Sequence, residues 1–158
     1  MEQRLKDGLM KDLASEETPQ FSPVYFYGDR EEVRRVLQQT AEQYRWANPD
    51  KRVAIIRGED FLDAVIWSMF DGTQEAYLKS LRWVDFLLFD GVDAIGGKMS
   101  TEWEFFSLFD YLLERGKRMA FGAERPPRQI DWYSERVKTQ LEGCVLCGVD
   151  RADPKPSP

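Results

Sequence analysis

The chain has 158 residues, 42% of them apolar and 13% aromatic, which suits one domain with a sizeable buried core. Its 22 basic and 28 acidic residues leave a net charge of −6, so the mean field repels phosphate backbones and anionic lipid surfaces. Histidine is absent, which removes the commonest metal ligand and the side chain that titrates near neutral pH.

From the N-terminus, residues 1–14 are charged and helix-compatible, unlike a signal peptide, and no apolar run approaches the length of a membrane span. The expected location is the cytoplasm, with no membrane partner. Residues 1–20 read as a helical or flexible segment and residues 21–149 as the core. Residues 150–158, with three prolines, read as a disordered tail.

Five short apolar runs follow one another: residues 24–27 (VYFY), 53–56 (VAII), 86–89 (FLLF), 119–121 (MAF) and 144–149 (CVLCGV). Longer amphipathic segments separate them, the signature of β-α-β units around a parallel sheet covered on both faces. The first helix, residues 31–47, places Val33, Val36, Leu37, Thr40, Ala41 and Tyr44 on one stripe and stops at Asn48-Pro49-Asp50. The second crossover carries Phe61, Leu62, Val65, Ile66 and Met69, then Asp71-Gly72, then a short helix with Tyr77, Leu78 and Leu81. A third helix over residues 101–115 is dense in aromatics (Trp103, Phe105, Phe106, Phe109, Tyr111), read as core, and closes at Gly116. A fourth, residues 131–141, follows Pro126-Pro127. Trp46 and Trp83 are candidates for either core or partner anchors.

Cys144 and Cys147 have the spacing of a redox pair or half a zinc site. An offset of three along a strand points them to opposite faces, so they are expected to be core thiols in a reducing compartment. No metal site and no cofactor are expected.

Residues 84–130, VDFLLFDGVDAIGGKMSTEWEFFSLFDYLLERGKRMAFGAERPPRQI, combine a strand ending in Asp90, Gly97-Lys98, a helix with Glu104-Phe105-Phe106, and Glu124-Arg125-Pro126-Pro127. In this combination they resemble the central AAA+ domain of the bacterial DnaA/Hda replication-initiator family. The likeness continues through FSPVYFYG (21–28) and NPDKRVAIIRGEDF (48–61) to about residue 149. It implies an α/β, P-loop NTPase-like three-layer sandwich with a five-stranded parallel sheet, here without the helical lid subdomain or the DNA-binding helices.

The resemblance also implies a set of altered positions. Asp90 matches an acidic residue that helps hold magnesium in the family, while Gly91 replaces the neighbour that polarises the attacking water. The phosphate loop G-x-x-x-x-G-K-[ST] falls on GDREEVRR, residues 28–35. Gly28 is retained, Val33 stands for the second glycine, Arg34 for the lysine and Arg35 for the magnesium-binding hydroxyl. The sensor position reads Glu124, and the arginine-finger position falls on Gln140.

A phosphate loop works when consecutive backbone N–H groups, freed by glycine, converge at a helix N-terminus. Valine suits that geometry poorly, and Asp29, Glu31 and Glu32 set carboxylates where a triphosphate would lie, at about 1 kcal/mol per charge pair in water. Asp29 and Glu32 have the spacing of a capping box, so the helix is expected to satisfy its own anion site. Gly28, Asp29, Val33, Arg34, Arg35, Asp90 and Glu124 thus form a degenerate nucleotide site, with no catalytic residue.

Three functions compete. One is an inactive interaction module of replication initiation that docks on DnaA, the replicative helicase or a second copy of itself. Another is a non-standard ATP-binding protein or ATPase using Arg34, Asp90 and Glu124. The third is single-stranded DNA binding through Arg30, Arg34 and Arg35 or through Lys117 and Arg118. Residues 59–77, the family's DNA-contacting stretch, hold five acidic residues and no Lys or Arg, which makes nucleic acid the least favoured partner.

Overall fold

In the computed structural model, which describes residues 2–151, one sheet runs through the molecule. Its strands are β1 (Val24–Gly28), β2 (Val53–Arg57), β3 (Phe86–Asp90), β4 (Arg118–Ala123) and β5 (Val145–Val149). All pairings are parallel, in the order β2-β3-β4-β1-β5. A strand buried on both faces carries continuous apolar residues, which is why Phe86-Leu87-Leu88-Phe89 and Met119-Ala120-Phe121 read as unbroken runs. Residues 152–158, most of the expected tail, lie outside the described residues.

The described residues form six α-helices: α1 (Glu2–Ala14), α2 (Arg30–Ala47), α3 (Gly58–Asp71), α4 (Glu75–Ser80), α5 (Met99–Glu114) and α6 (Glu135–Glu142). On one face, α1 and α2 pack Leu9, Leu13, Val33, Leu37 and Tyr44 against Val24, Phe26, Phe86, Leu88 and Cys147. On the other, α3, α5 and α6 pack Phe61, Phe105, Phe109, Val137 and Leu141 against Tyr25, Leu87, Phe89 and Phe121. This is the expected three-layer sandwich. In the second core Phe89 meets Phe61 and Phe105 edge to face, at 5.2 Å and 5.1 Å between centroids, while Phe109 stacks on Phe121.

The N-terminal segment is bound into the first core. The Arg118 guanidinium, 9% exposed, donates to the carbonyls of Leu13 (2.8 Å), Glu17 (2.7 Å) and Ser15, ending α1 from inside the molecule. Asp12 accepts from the Gln20 and Phe21 amides and closes the return to β1.

Several element bounds shift by one to four residues from expectation, two of them for reasons that the hydrogen bonds show. The fourth helix starts at Glu135 because the Tyr133 and Ser134 amides, which a longer helix would use internally, donate to the buried Glu102 carboxylate. Cys144 belongs to the turn after α6, since its amide donates to Leu141, and the strand begins one residue later.

Candidate functional site

The site lies over the carboxyl ends of β1, β3 and β4, the crevice where open parallel sheets bind ligands. It begins at Gly28, whose neighbour in the sheet is Val149. A Cβ on Gly28 would stand 2.0 Å from the Val149 carbonyl oxygen, so only glycine allows this approach. Asp29 alone separates β1 from α2. Its amide donates to Val149 (3.2 Å), its carbonyl accepts from Val33 (2.9 Å) and its carboxylate accepts from the Glu32 amide (3.1 Å).

Asp29 is therefore the expected N-cap, but the capping box is only half formed. Glu32 does not return the bond because the Asp29 amide is held by β5, and its carboxylate instead meets Arg35 at 3.1 Å. Glu31 and Glu32 still place negative charge in the first turn, where the helix end is positive.

Val33, 2% exposed, presses on the middle of the sheet. A Cβ on Gly122 of β4 would come within 2.6 Å of Val33 Cγ1 and 2.8 Å of Leu37 Cδ1, so the two positions are fitted to each other. One residue on, Arg34 reaches across 56 positions of sequence: its Nε donates to Asp90 Oδ2 at 3.0 Å. The Asp90 side chain is only 13% exposed beneath it. Arg30 completes the cover by approaching Glu59 at 3.5 Å and Glu124 at 4.0 Å.

What remains is a cleft of about 260 Å³. Arg30, Arg34 and Arg125 line it opposite Glu59, Asp90, Asp93 and Glu124, so opposite charges alternate around its mouth. Its far wall is rigid: the buried Tyr25 hydroxyl donates to the Arg125 carbonyl at 2.7 Å and holds the turn before Pro126. Burial pushes the Tyr25 hydroxyl far above its ordinary range, with the Asp93 charge adding to the shift.

Gly28, Asp29, Val33, Arg34, Asp90 and Glu124 are thus brought together, while Arg35 points away toward Glu32 with 58% of its side chain exposed. Gly91 caps the end of β3, donating to the Gly122 carbonyl at 2.8 Å. Gln140 is remote from the cleft: its Nε2 donates to the Phe106 carbonyl, and its buried Oε1 has no partner among the described residues. The basic pair Lys117 and Arg118 is no surface patch, since Lys117 pairs with Asp85 at 3.0 Å and Arg118 is buried under α1. Cys144 and Cys147 lie in the two different cores, and burial pushes the Cys144 thiol up to about 12.

One buried polar residue escapes the sequence reading. Glu102, 1% exposed, accepts from the Gly97, Tyr133 and Ser134 amides, joining the loop before α5 to the segment before α6. A signal existed: Glu102 shares a helical stripe with Phe105, Phe109 and Leu112, all buried. Arg118, expected as half of a basic pair with Lys117, is instead a buried residue that ends α1.

The parallel order β2-β3-β4-β1-β5, with helices on both faces and a cleft at the strand ends, defines a P-loop NTPase-like protein of the AAA+ type. The model of the bacterial DnaA ATPase domain matches residues 4–148, and the chain belongs to that family. It is 31% identical over 139 residues to the chromosomal replication initiator DnaA of Sphingopyxis alaskensis, covering 87% of this chain and 31% of the relative. The Caulobacter vibrioides DnaA is 31% identical across 84% of this chain and 27% of its own length. The chain thus spans under a third of these relatives. A solved replication initiator DnaA bound to AMPPCP and single-stranded DNA superposes with a TM-score of 0.84 at 25% identity, over 94% of this chain and 46% of that one. Domain III of the Thermotoga maritima DnaA shares the fold, with a TM-score of 0.82 at 22% identity over 95% of this chain and 61% of its own. No helix among the described residues is long and apolar enough to cross a membrane.

Proposed function

We propose that this chain is a DnaA-like AAA+ core that has given up nucleotide hydrolysis and serves replication initiation as a protein-interaction or regulatory module in the cytoplasm. The observation that carries the reading is the start of α2 at Arg30, two residues past Gly28, with its first turn capped by Asp29. A phosphate cradle needs a loop of exposed amides there. In its place stand a helical turn, a buried valine and three carboxylates.

The residues present do not fit a triphosphate with its magnesium ion. Asp90, the matching metal ligand, is held by Arg34, and neither Val33 nor Arg35 supplies the amide approach or the hydroxyl that the loop requires. The likeness to a DnaA bound to AMPPCP and single-stranded DNA supports the family's setting, replication, without carrying those ligands over. The acidic stretch 59–77 weighs against a DNA strand on α3 and α4.

Isothermal titration of the purified chain with ATP or ADP and magnesium is expected to give no binding heat at millimolar nucleotide. Saturable heat in the micromolar range would overturn the reading. The competing reading, a non-standard ATPase, draws on the three arginines that line the cleft. It requires measurable turnover that Arg34→Ala abolishes, and turnover indifferent to that change removes it.

A further inference from the structure

The outward face of α3 carries large apolar side chains exposed to solvent. Ile66, Trp67 and Phe70 form one stripe at helical spacing, 47%, 53% and 81% exposed, with the Trp67 and Phe70 rings 6.1 Å apart at their centroids. A helix that follows a parallel strand ordinarily turns such residues inward. Here Phe61 and Val65 already fill the inward side, so the stripe is surplus to the core.

Trp67 of the stripe also lines a groove of about 280 Å³ between α3 and α4, together with Tyr77 and the carboxylates Asp60 and Asp63. The two carboxylates make no ion pair among the described residues, unlike Glu59, which meets Arg30 and Arg57. Burial, then the Asp60 charge, pushes the Tyr77 hydroxyl above its ordinary range, which places that carboxylate's field inside the groove. No Lys or Arg lines it.

We infer that the α3–α4 face docks an apolar, cationic polypeptide segment of a partner protein, with a Lys or Arg side chain entering the groove between Trp67 and Tyr77 toward Asp60 and Asp63. The choice of occupant follows from charge and ring chemistry together. Aromatic faces attract cations, and two unpaired carboxylates at the end of an aromatic slot reward a long aliphatic stem with a positive head. The same carboxylates repel a nucleic-acid backbone and a second copy of this acidic face. Apolar anchors on the partner would cover Ile66 and Phe70, aromatic and aliphatic contacts of the kind that dominate binding hot spots. The inference rests on the reading of the chain as an interaction module and names the chemistry of what it would bind.

The test uses the purified chain and a fluorescein-labelled amphipathic leucine–lysine peptide, followed by anisotropy, with a leucine–glutamate peptide of the same pattern as control. The lysine peptide is expected to bind at least about tenfold more tightly than the glutamate one. Trp67→Ala, and separately Asp60→Asn with Asp63→Asn, should each weaken it by about tenfold or more. Glu42→Gln with Glu142→Gln, which removes the same net charge from exposed positions on α2 and α6, should change it less than about twofold. All these positions are exposed, and unchanged thermal midpoints will show that the variants fold. Equal loss from both carboxylate pairs, indifference to Trp67→Ala, displacement by single-stranded oligonucleotide, or self-association abolished by Trp67→Ala would each overturn the proposal. A parallel ATP titration separates the two failures. Nucleotide binding with peptide selectivity intact defeats the inactive-module reading alone, whereas lost selectivity without nucleotide binding defeats the groove alone.

Discussion

Two strand-to-helix junctions at the carboxyl end of the sheet are finished in opposite ways. Where β1 meets α2, nearly every polar group is spoken for: Asp29 caps the helix, Arg34 holds Asp90, Arg30 spans Glu59 and Glu124, and Val33 is sealed against Gly122. Where β2 leads into α3 and α4, Asp60 and Asp63 make no ion pair among the described residues, and Trp67, Met69 and Phe70 face solvent. The first junction converts its side chains into stability. The second leaves apolar surface uncovered, each large side chain forgoing roughly 1.5–3 kcal/mol of burial that only a partner can supply. On the proposed reading, the contrast places structure at one junction and recognition at the other.

The strongest way to break this contrast is Val33→Gly, which puts glycine at the position that the proposed reading sets against the second glycine of the phosphate loop. Loss of a buried valine and a glycine inside a helix should together cost about 3 kcal/mol in urea unfolding. A loss below about 1 kcal/mol would mean that α2 does not depend on its seat over Gly122. Asp29→Ala removes the cap and should cost about 1 kcal/mol in the same assay, with no change expected if the Glu32 amide finds water instead.

A smaller effect extends the comparison to the other end of the sheet, at Asp85. Partial burial pushes this carboxyl up, but the Arg52 amide at 2.9 Å and the Lys117 ammonium at 3.0 Å more than offset it, so it is held below its ordinary 3.8. A depressed carboxyl adds stability that is present above its unfolded value and is lost as pH falls through the folded one. Stability should therefore decline below about pH 4, and Asp85→Asn should flatten that part of the profile. A wild-type-like slope in the Asn variant would assign the acid loss to other carboxylates. The smallest effect is expected on the open face: Phe70→Ala should shift stability by less than about 0.5 kcal/mol. A loss above about 2 kcal/mol would mean that Phe70 is core, and the contrast would fail.

Much of the architecture was legible because its signals are local. The stripe of Val33, Val36, Leu37, Thr40, Ala41 and Tyr44 is buried as its periodicity required, and Asp29 caps the helix it precedes. Gly72 and Gly116 end their helices with positive φ, as turn chemistry asks. Legibility stopped where a residue's partner is distant in the chain. The start of α6 was misplaced because Glu102, some 30 residues earlier, draws off the amides of Tyr133 and Ser134. The aromatic run of α5 was read as core throughout, yet Trp103 is 57% exposed while Phe105 and Phe109 are sealed. Trp46 and Trp83, left open between core and surface, are both exposed.

By itself the sequence determined the strands, the helices and the alternation that makes a parallel sheet, together with the charged, glycine-poor stretch that follows Gly28. Those are choices made within a turn or two, where hydrogen-bond geometry and side-chain period act on neighbours. Tertiary structure alone decided that Arg34 pairs with Asp90, that Arg118 ends α1 from below and that the α3 stripe remains uncovered. Charge pairing and burial depend on which surfaces the fold brings within a few ångströms, and no spacing along the chain records that distance.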